Sequence, residues 1–173
     1  MYCHTHTAEI IRAEGTDYML QAKDNQRHMC KEISAFFHKT YRDSPKLLAE
    51  RHFEEIEKAH GRINERNYRL LPITDRLAGM THWKDIQSVV EVTRKRTFKK
   101  KGKEQIEQEV SYYITSLGDD VKEAARAIRN HWAIETSQHC VLDVTFREDE
   151  SQIYTEDGEK NIALFRRALL NLI

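Results

Sequence analysis

Ser88-Val89-Val90-Glu91-Val92-Thr93-Arg94-Lys95-Arg96-Thr97-Phe98 and Ile106-Glu107-Gln108-Glu109-Val110-Ser111-Tyr112-Tyr113-Ile114-Thr115-Ser116-Leu117 are two runs rich in β-branched and aromatic residues. The tip Lys99-Lys100-Lys101-Gly102-Lys103 joins them. Such side chains suit a pleated, half-buried surface and the glycine suits a turn, so a β-hairpin is expected. Upstream, the polar runs 52–58 and 62–70 flank His60-Gly61 and read as another hairpin. Residues 51–117 therefore form a β-rich stretch.

On either side the pattern is different. Residues 7–14 suggest a helix with Ala8, Ile10 and Ile11 on one face and Gly15 as its stop. The apolar run Tyr18-Met19-Leu20-Gln21-Ala22 reads as a buried strand, closed by the turn-like Lys23-Asp24-Asn25-Gln26. Met29, Cys30, Ile33, Phe36 and Phe37 then recur at helical spacing until Ser44-Pro45. After Gly118, Asp119 or Asp120 can cap a helix whose face carries Val121, Ala125, Ile128 and Trp132. Residues 142–149 alternate like an extended segment, and a last helix is expected from about residue 159, with Ile162, Phe165, Leu169 and Leu172 in one stripe. The expected fold class is α/β, as an α+β mixture, in three parts: 1–50, 51–117 and 118–173.

Composition narrows the function classes. The chain has 173 residues with 28 basic and 28 acidic side chains, enough for one modest domain with no global charge bias. Its longest apolar runs, such as Ala168-Leu169-Leu170, fall far short of the roughly 18 to 20 residues that span a bilayer. The start Met1-Tyr2-Cys3-His4 lacks the basic and apolar regions of a secretory signal. Three cysteines, Cys3, Cys30 and Cys140, cannot all pair within one chain, which points to a reducing cytoplasm. Positive charge gathers locally at 94–103, either as a solvated loop tip or as a surface for nucleic acid.

One acid stands out. At 100° per residue Glu135 lies about 20° from Ile128 around the helix axis, near the centre of the apolar stripe. A carboxylate there either reaches water or pairs with Arg129 or His139, or it ligates a hard cation such as Mg²⁺. His131 precedes it by one helical turn, but no HExxH pattern accompanies the pair. Cys3-His4-Thr5-His6 has no second cluster at zinc-finger spacing. No GxGxxG, GxxxxGK[ST] or GxSxG pattern is present, so nucleotide-binding and serine-hydrolase readings have no motif behind them. Trp83 could stack on a base, although an aromatic entering a strand more often joins a core.

Five segments together make a recognisable set: 16–26, His60-Gly61-Arg62, Tyr112-Tyr113-Ile114-Thr115-Ser116-Leu117, Ile128-Arg129-Asn130-His131-Trp132-Ala133-Ile134-Glu135 and 142–149. In order and spacing they resemble the bacterial insertion-sequence transposases related to the H-repeat-associated proteins, over nearly the whole chain. The resemblance implies a DDE transposase. Its ribonuclease-H-like domain brings two aspartates and one glutamate around two divalent ions, expected to be Mg²⁺, for strand cleavage and transfer in DNA transposition. Glu135 matches the glutamate. Related proteins often have arginine where His131 stands and glycine where Asp24 stands.

The aspartates of the family precede the segment that starts here at Met1. The chain thus resembles the C-terminal portion of a transposase, carrying one of three catalytic acids, with 51–117 as the family's β-rich insertion. Three expectations follow from the resemblance. The chain alone performs no strand transfer; the ribonuclease-H-like sheet is incomplete, with one strand left; and the faces of Ile11, Phe36 and Phe165 lack a partner layer. DNA, as transposon ends, is the implied partner, and Arg96, Lys99, Lys100, Lys101, Lys103, Arg129 and His131 are the candidate contacts. The alternative is a non-catalytic DNA-binding or interaction protein that associates with a full-length transposase. A histidine metal enzyme using His4, His6 or His139 is a third class.

Overall fold

The strand patterning of 52–115 becomes an antiparallel meander in the computed structural model, which describes residues 5–23, 26–59, 62–73, 77, 80, 82–100, 103–134 and 161–162. Helix α1 (Thr5–Ala13) leads to strand β1 (Met19–Ala22), then helices α2 (Arg27–Asp43) and α3 (Pro45–Glu50). Strands β2 (His52–Ala59), β3 (Arg62–Pro72), β4 (Ser88–Lys100) and β5 (Lys103–Thr115) follow, then helix α4 (Val121–Ile134). The sheet order is β1-β5-β4-β3-β2, and every neighbouring pair is antiparallel. The architecture is α+β.

Local chemistry explains the punctuation. Gly15 ends α1 at φ 72°, a left-handed conformation open to glycine, and its N–H donates to the Arg12 carbonyl at 3.1 Å. Pro45 opens α3, and because the residue before a proline avoids helical geometry, α2 stops at Asp43. Asp120 caps α4, its Oδ1 accepting the N–H groups of Lys122 at 2.8 Å and Glu123 at 3.3 Å.

The register places Leu20, Ile114, Val89 and Leu71 side by side on one face of the sheet. Met29, Ile33, Phe36 and Phe37 of α2, at helical spacing, join Ala8 of α1 in a core cluster with these four residues. Phe37 is fully buried, which stabilises the fold by about 1.5–3 kcal/mol relative to an exposed ring. On the opposite face, Tyr68, Leu70, Val90 and Tyr113 are also buried. Trp83 is in the core cluster, in keeping with the core reading of that aromatic.

The expectation that the faces of Ile11 and Phe36 lack a partner is not met: Phe36 is buried in the cluster and Ile11 packs against it. The physical reason is that β1 pairs with the end of β5, Met19 opposite Thr115 and Ala22 opposite Tyr112, so the hairpins supply the layer that α2 covers. Ile10 is exposed instead of sharing the buried face of Ala8. Phe165, residues 142–149, the turns at Asp24 and His60-Gly61 and all but 161–162 of the last helix lie outside the described residues.

Two compact units divide the chain, Met1–Arg126 and Ala127–Ile173. No helix among the described residues is long and apolar enough to cross a membrane.

Candidate nucleic-acid interface

The hairpin β4–β5 has two halves of different character. Ser88 to Val92 are buried and so are Tyr113 to Thr115, whereas Thr93 to Phe98 are half-buried and Lys103 to Val110 are exposed. The apolar alternation that anchors the base gives way to charge, and the outer half becomes an arm wet on both faces. Hydroxyl groups fasten its base to the start of β1. Thr115 Oγ1 donates to the Tyr18 carbonyl at 2.7 Å and accepts the Leu117 N–H at 3.0 Å. Ser116 Oγ accepts the Tyr18 N–H at 3.0 Å and donates to Asp17 at 2.8 Å.

One face of the arm holds four arginines, Arg62 and Arg66 on β3 and Arg94 and Arg96 on β4, with Arg66 directly opposite Arg94. Like charges opposite each other repel, and glutamates on the flanking strands offset this. Arg66 pairs with Glu57 at 3.1 Å, and Arg94 pairs with Glu109. Arg96 donates to Asn64 at 3.3 Å. On the other face Lys95 pairs with Glu65 at 3.2 Å.

Ion pairing stops short of the tip. Among the described residues the cross-strand ion pairs stop at Arg94 and Lys95, and Lys99, Lys100 and Lys103 are exposed. The register sets Lys99 opposite Glu104 but Lys100 opposite Lys103, a like-charge pair. An anion such as a phosphate relieves that repulsion. Thus the structure gathers Lys99, Lys100 and Lys103 at one end and leaves Arg96 further down, engaged with Asn64. Lys101 lies outside the described residues.

Arg129, half-buried, and His131, exposed, sit on α4 in the second unit. Glu135, His139, Cys140, His4 and the side chain of Trp132 lie outside the described residues, while His6 faces Glu9 at 3.5 Å near the start of α1. Among the described residues no group of three or more His, Cys, Asp or Glu side chains could hold a metal ion. The described donor set therefore does not make a metal centre.

Sequence reasoning missed two polar clusters. Glu91, only 6 % exposed, accepts the Tyr41 hydroxyl at 2.5 Å and lies 3.7 Å from Arg69, whose guanidinium stacks 5.4 Å from the Tyr41 ring centroid. Burial, reinforced by the hydrogen bond to Glu91, pushes the Tyr41 hydroxyl well above the usual phenol range. Burial also raises Tyr112, the residue opposite Glu91. A lone acid inside Val89-Val90-Glu91-Val92 was the available signal. In the second cluster Arg12 pairs with Asp17 at 2.5 Å and with Asp85 at 3.1 Å. The Arg12 hydrogen bond holds the Asp85 carboxyl below its usual range.

The family model described as transposase DDE domain matches residues 1–172. YbfL of Escherichia coli strain K12 is 29% identical over the whole chain, which covers 45% of that protein. YhhI of the same strain, named as H repeat-associated, is 28% identical over the whole chain and 45% of its own length. YncI of Escherichia coli O157:H7 is 31% identical, again over the whole chain, with 44% of its length covered. YhhI and YncI carry transposase as a provisional name. The chain spans less than half the length of these relatives. No solved structure matches it.

Proposed function

Since the chain belongs to the transposase DDE domain family, we propose that it serves DNA transposition as the part of a transposase that contributes the glutamate of the acid trio and a basic hairpin for DNA. The family match over residues 1–172 is the observation behind this reading. In it, 1–50 belong to a ribonuclease-H-like core, 51–117 to a β-rich insertion, and 118–173 to the helical region with Glu135. The substrate is transposon-end DNA, the reaction is cleavage and transfer of a strand, the setting is the cytoplasm, and Mg²⁺ is the metal for which Glu135 is one ligand. Hard divalent ions favour carboxylate oxygen, which fits that assignment of Glu135.

Phosphoryl displacement by two ions about 3.5 to 4 Å apart needs several carboxylates to fix them. Glu135 by itself cannot do so, and these 173 residues alone are expected to cleave no transposon end in Mg²⁺. Cleavage by the isolated chain that disappears in Glu135→Gln would contradict this.

DNA binding by the tip is tested separately. In fluorescence anisotropy with a duplex oligonucleotide, affinity should fall steeply with salt. Every lysine–phosphate pair removed should flatten the log–log slope by about 0.9. Lys99→Gln, Lys100→Gln and Lys103→Gln together should weaken binding at least roughly tenfold at low salt and flatten the slope. Unchanged affinity and slope would remove the hairpin tip from the interface.

A further inference from the structure

Among the described residues the outer edge of β5 is open: its pairing with β1 begins at Tyr112, and all eight residues Lys103 to Val110 are exposed. Among the described residues no strand pairs with that edge. A strand edge of this length offers backbone donors and acceptors to another strand, and proteins ordinarily blunt such edges with charge. Here the charges are spaced so that the same edge of a second copy can match them.

We propose that β5 is a self-complementary edge that pairs antiparallel with β5 of a second copy of this chain, about a two-fold axis through Ile106. In that register Ile106 faces its own copy, Gln105 faces Glu107, Glu104 faces Gln108, and Lys103 faces Glu109. By symmetry each unlike pair occurs twice, so the interface holds two Lys103–Glu109 pairs and no like charges directly opposite. A two-fold register must centre on a residue: moving the axis to Glu107 sets that carboxylate against its own copy, whereas moving it to Gln105 pairs Lys103 with Glu107 but sets Ile106 opposite Glu104 and loses the apolar contact. The same two-fold operation on the other sheet edge, about Ile56 of β2, puts Glu55 opposite Glu57.

The apolar pattern points the same way. Ile106 is 60% exposed, and its neighbours across the sheet in one row are Thr97 and Ile63. Val110 on the same face is 46% exposed. Pairing about Ile106 joins two such rows end to end, Ile63-Thr97-Ile106 running into Ile106-Thr97-Ile63 of the second copy, and removes Ile106 from water in both. This is an isologous interface, closed at two copies, which also takes the exposed edge away from further strands.

Sedimentation velocity of the full chain without nucleic acid, over a concentration series, should show a reversible monomer–dimer equilibrium. Ile106→Lys sets two ammonium groups against each other on the axis and should weaken dimerisation at least roughly tenfold, with an unchanged circular dichroism spectrum because the position is exposed. Register is read by thiol cross-linking. Ile106→Cys should give a disulfide-linked dimer on mild oxidation, mapped to the introduced thiols by mass spectrometry and above the background of the native cysteines. Gln105→Cys and Glu107→Cys should each cross-link poorly alone and well when mixed. Monomer at every soluble concentration, dimerisation unaffected by Ile106→Lys, or equal self-linking at 105, 106 and 107 would each overturn the proposal.

Discussion

Glu91 is the residue on which the inner end of the arm turns. Its carboxylate sits in an otherwise apolar strand and accepts the Tyr41 hydroxyl, with Arg69 beside it, so one side chain ties α2 to the middle of the sheet. Glu91→Leu leaves a half-buried hydroxyl and a guanidinium without their acceptor, and should cost about 1–3 kcal/mol in urea unfolding. Tyr41 and Tyr112 give the same region a pH signature. Both are raised above the ordinary value of 10.0, so the folded state holds their protons after the unfolded chain has released them. Their contribution is complete below that value and declines as pH rises above it. The urea midpoint should therefore drop between pH 9 and 11, and drop less in Tyr41→Phe compared with its own value at pH 9. A second anchor is Thr115, whose hydroxyl both donates and accepts inside the sheet. Thr115→Val should cost roughly 1–3 kcal/mol, since the Tyr18 carbonyl and the Leu117 N–H each lose a partner.

At the level of elements, the helices and strands were legible wherever the period was clean. Met29, Ile33, Phe36 and Phe37 announced α2, and Val89, Val90 and Val92 announced β4. The short helix α3 was not foreseen, because six residues hold too little period to register and Pro45 read as a stop when it is also a start. Asp120 and Asp119 were equal candidates for the cap of α4; only backbone geometry selects Asp120. Asp120→Ala should lower stability by about 1 kcal/mol while Asp119→Ala, whose carboxylate reaches Arg51 at the surface, should cost less. Thermal denaturation of the two variants side by side distinguishes them. The basic run 94–103 was legible as charge, but the neutralisation of its inner end was not. That required register, which sets Glu109 beside Arg94 and Glu65 beside Lys95.

For the molecule as a whole, the sequence suggested separate pieces, a β-rich stretch and an orphaned strand, whereas one five-stranded sheet unites them. Long-range pairing of Met19 with Thr115 has no local signature, and only the shared apolar faces of Leu20, Val89 and Ile114 hint at it. The sheet should open unevenly. In the monomer, at concentrations too low for pairing of β5 edges, amides of 68–71, 88–92 and 113–115, inside the core, should exchange hydrogen far more slowly than those of 62–67, 93–98 and 103–110. Uniform protection along β4 and β5, read by mass spectrometry, would count against a stiff base and a loose arm. That wet outer half also bears on how such a sequence can change over generations. Deleting two adjacent residues from β4 and their opposite numbers from β5 removes two rungs and leaves every remaining side chain on its own side. A single deletion in one strand reverses inside and outside for all that lies beyond it. Homologous arms are thus free to differ in length by matched pairs of rungs, and a lone gap in one of these strands should be accompanied by a bulge that restores the alternation.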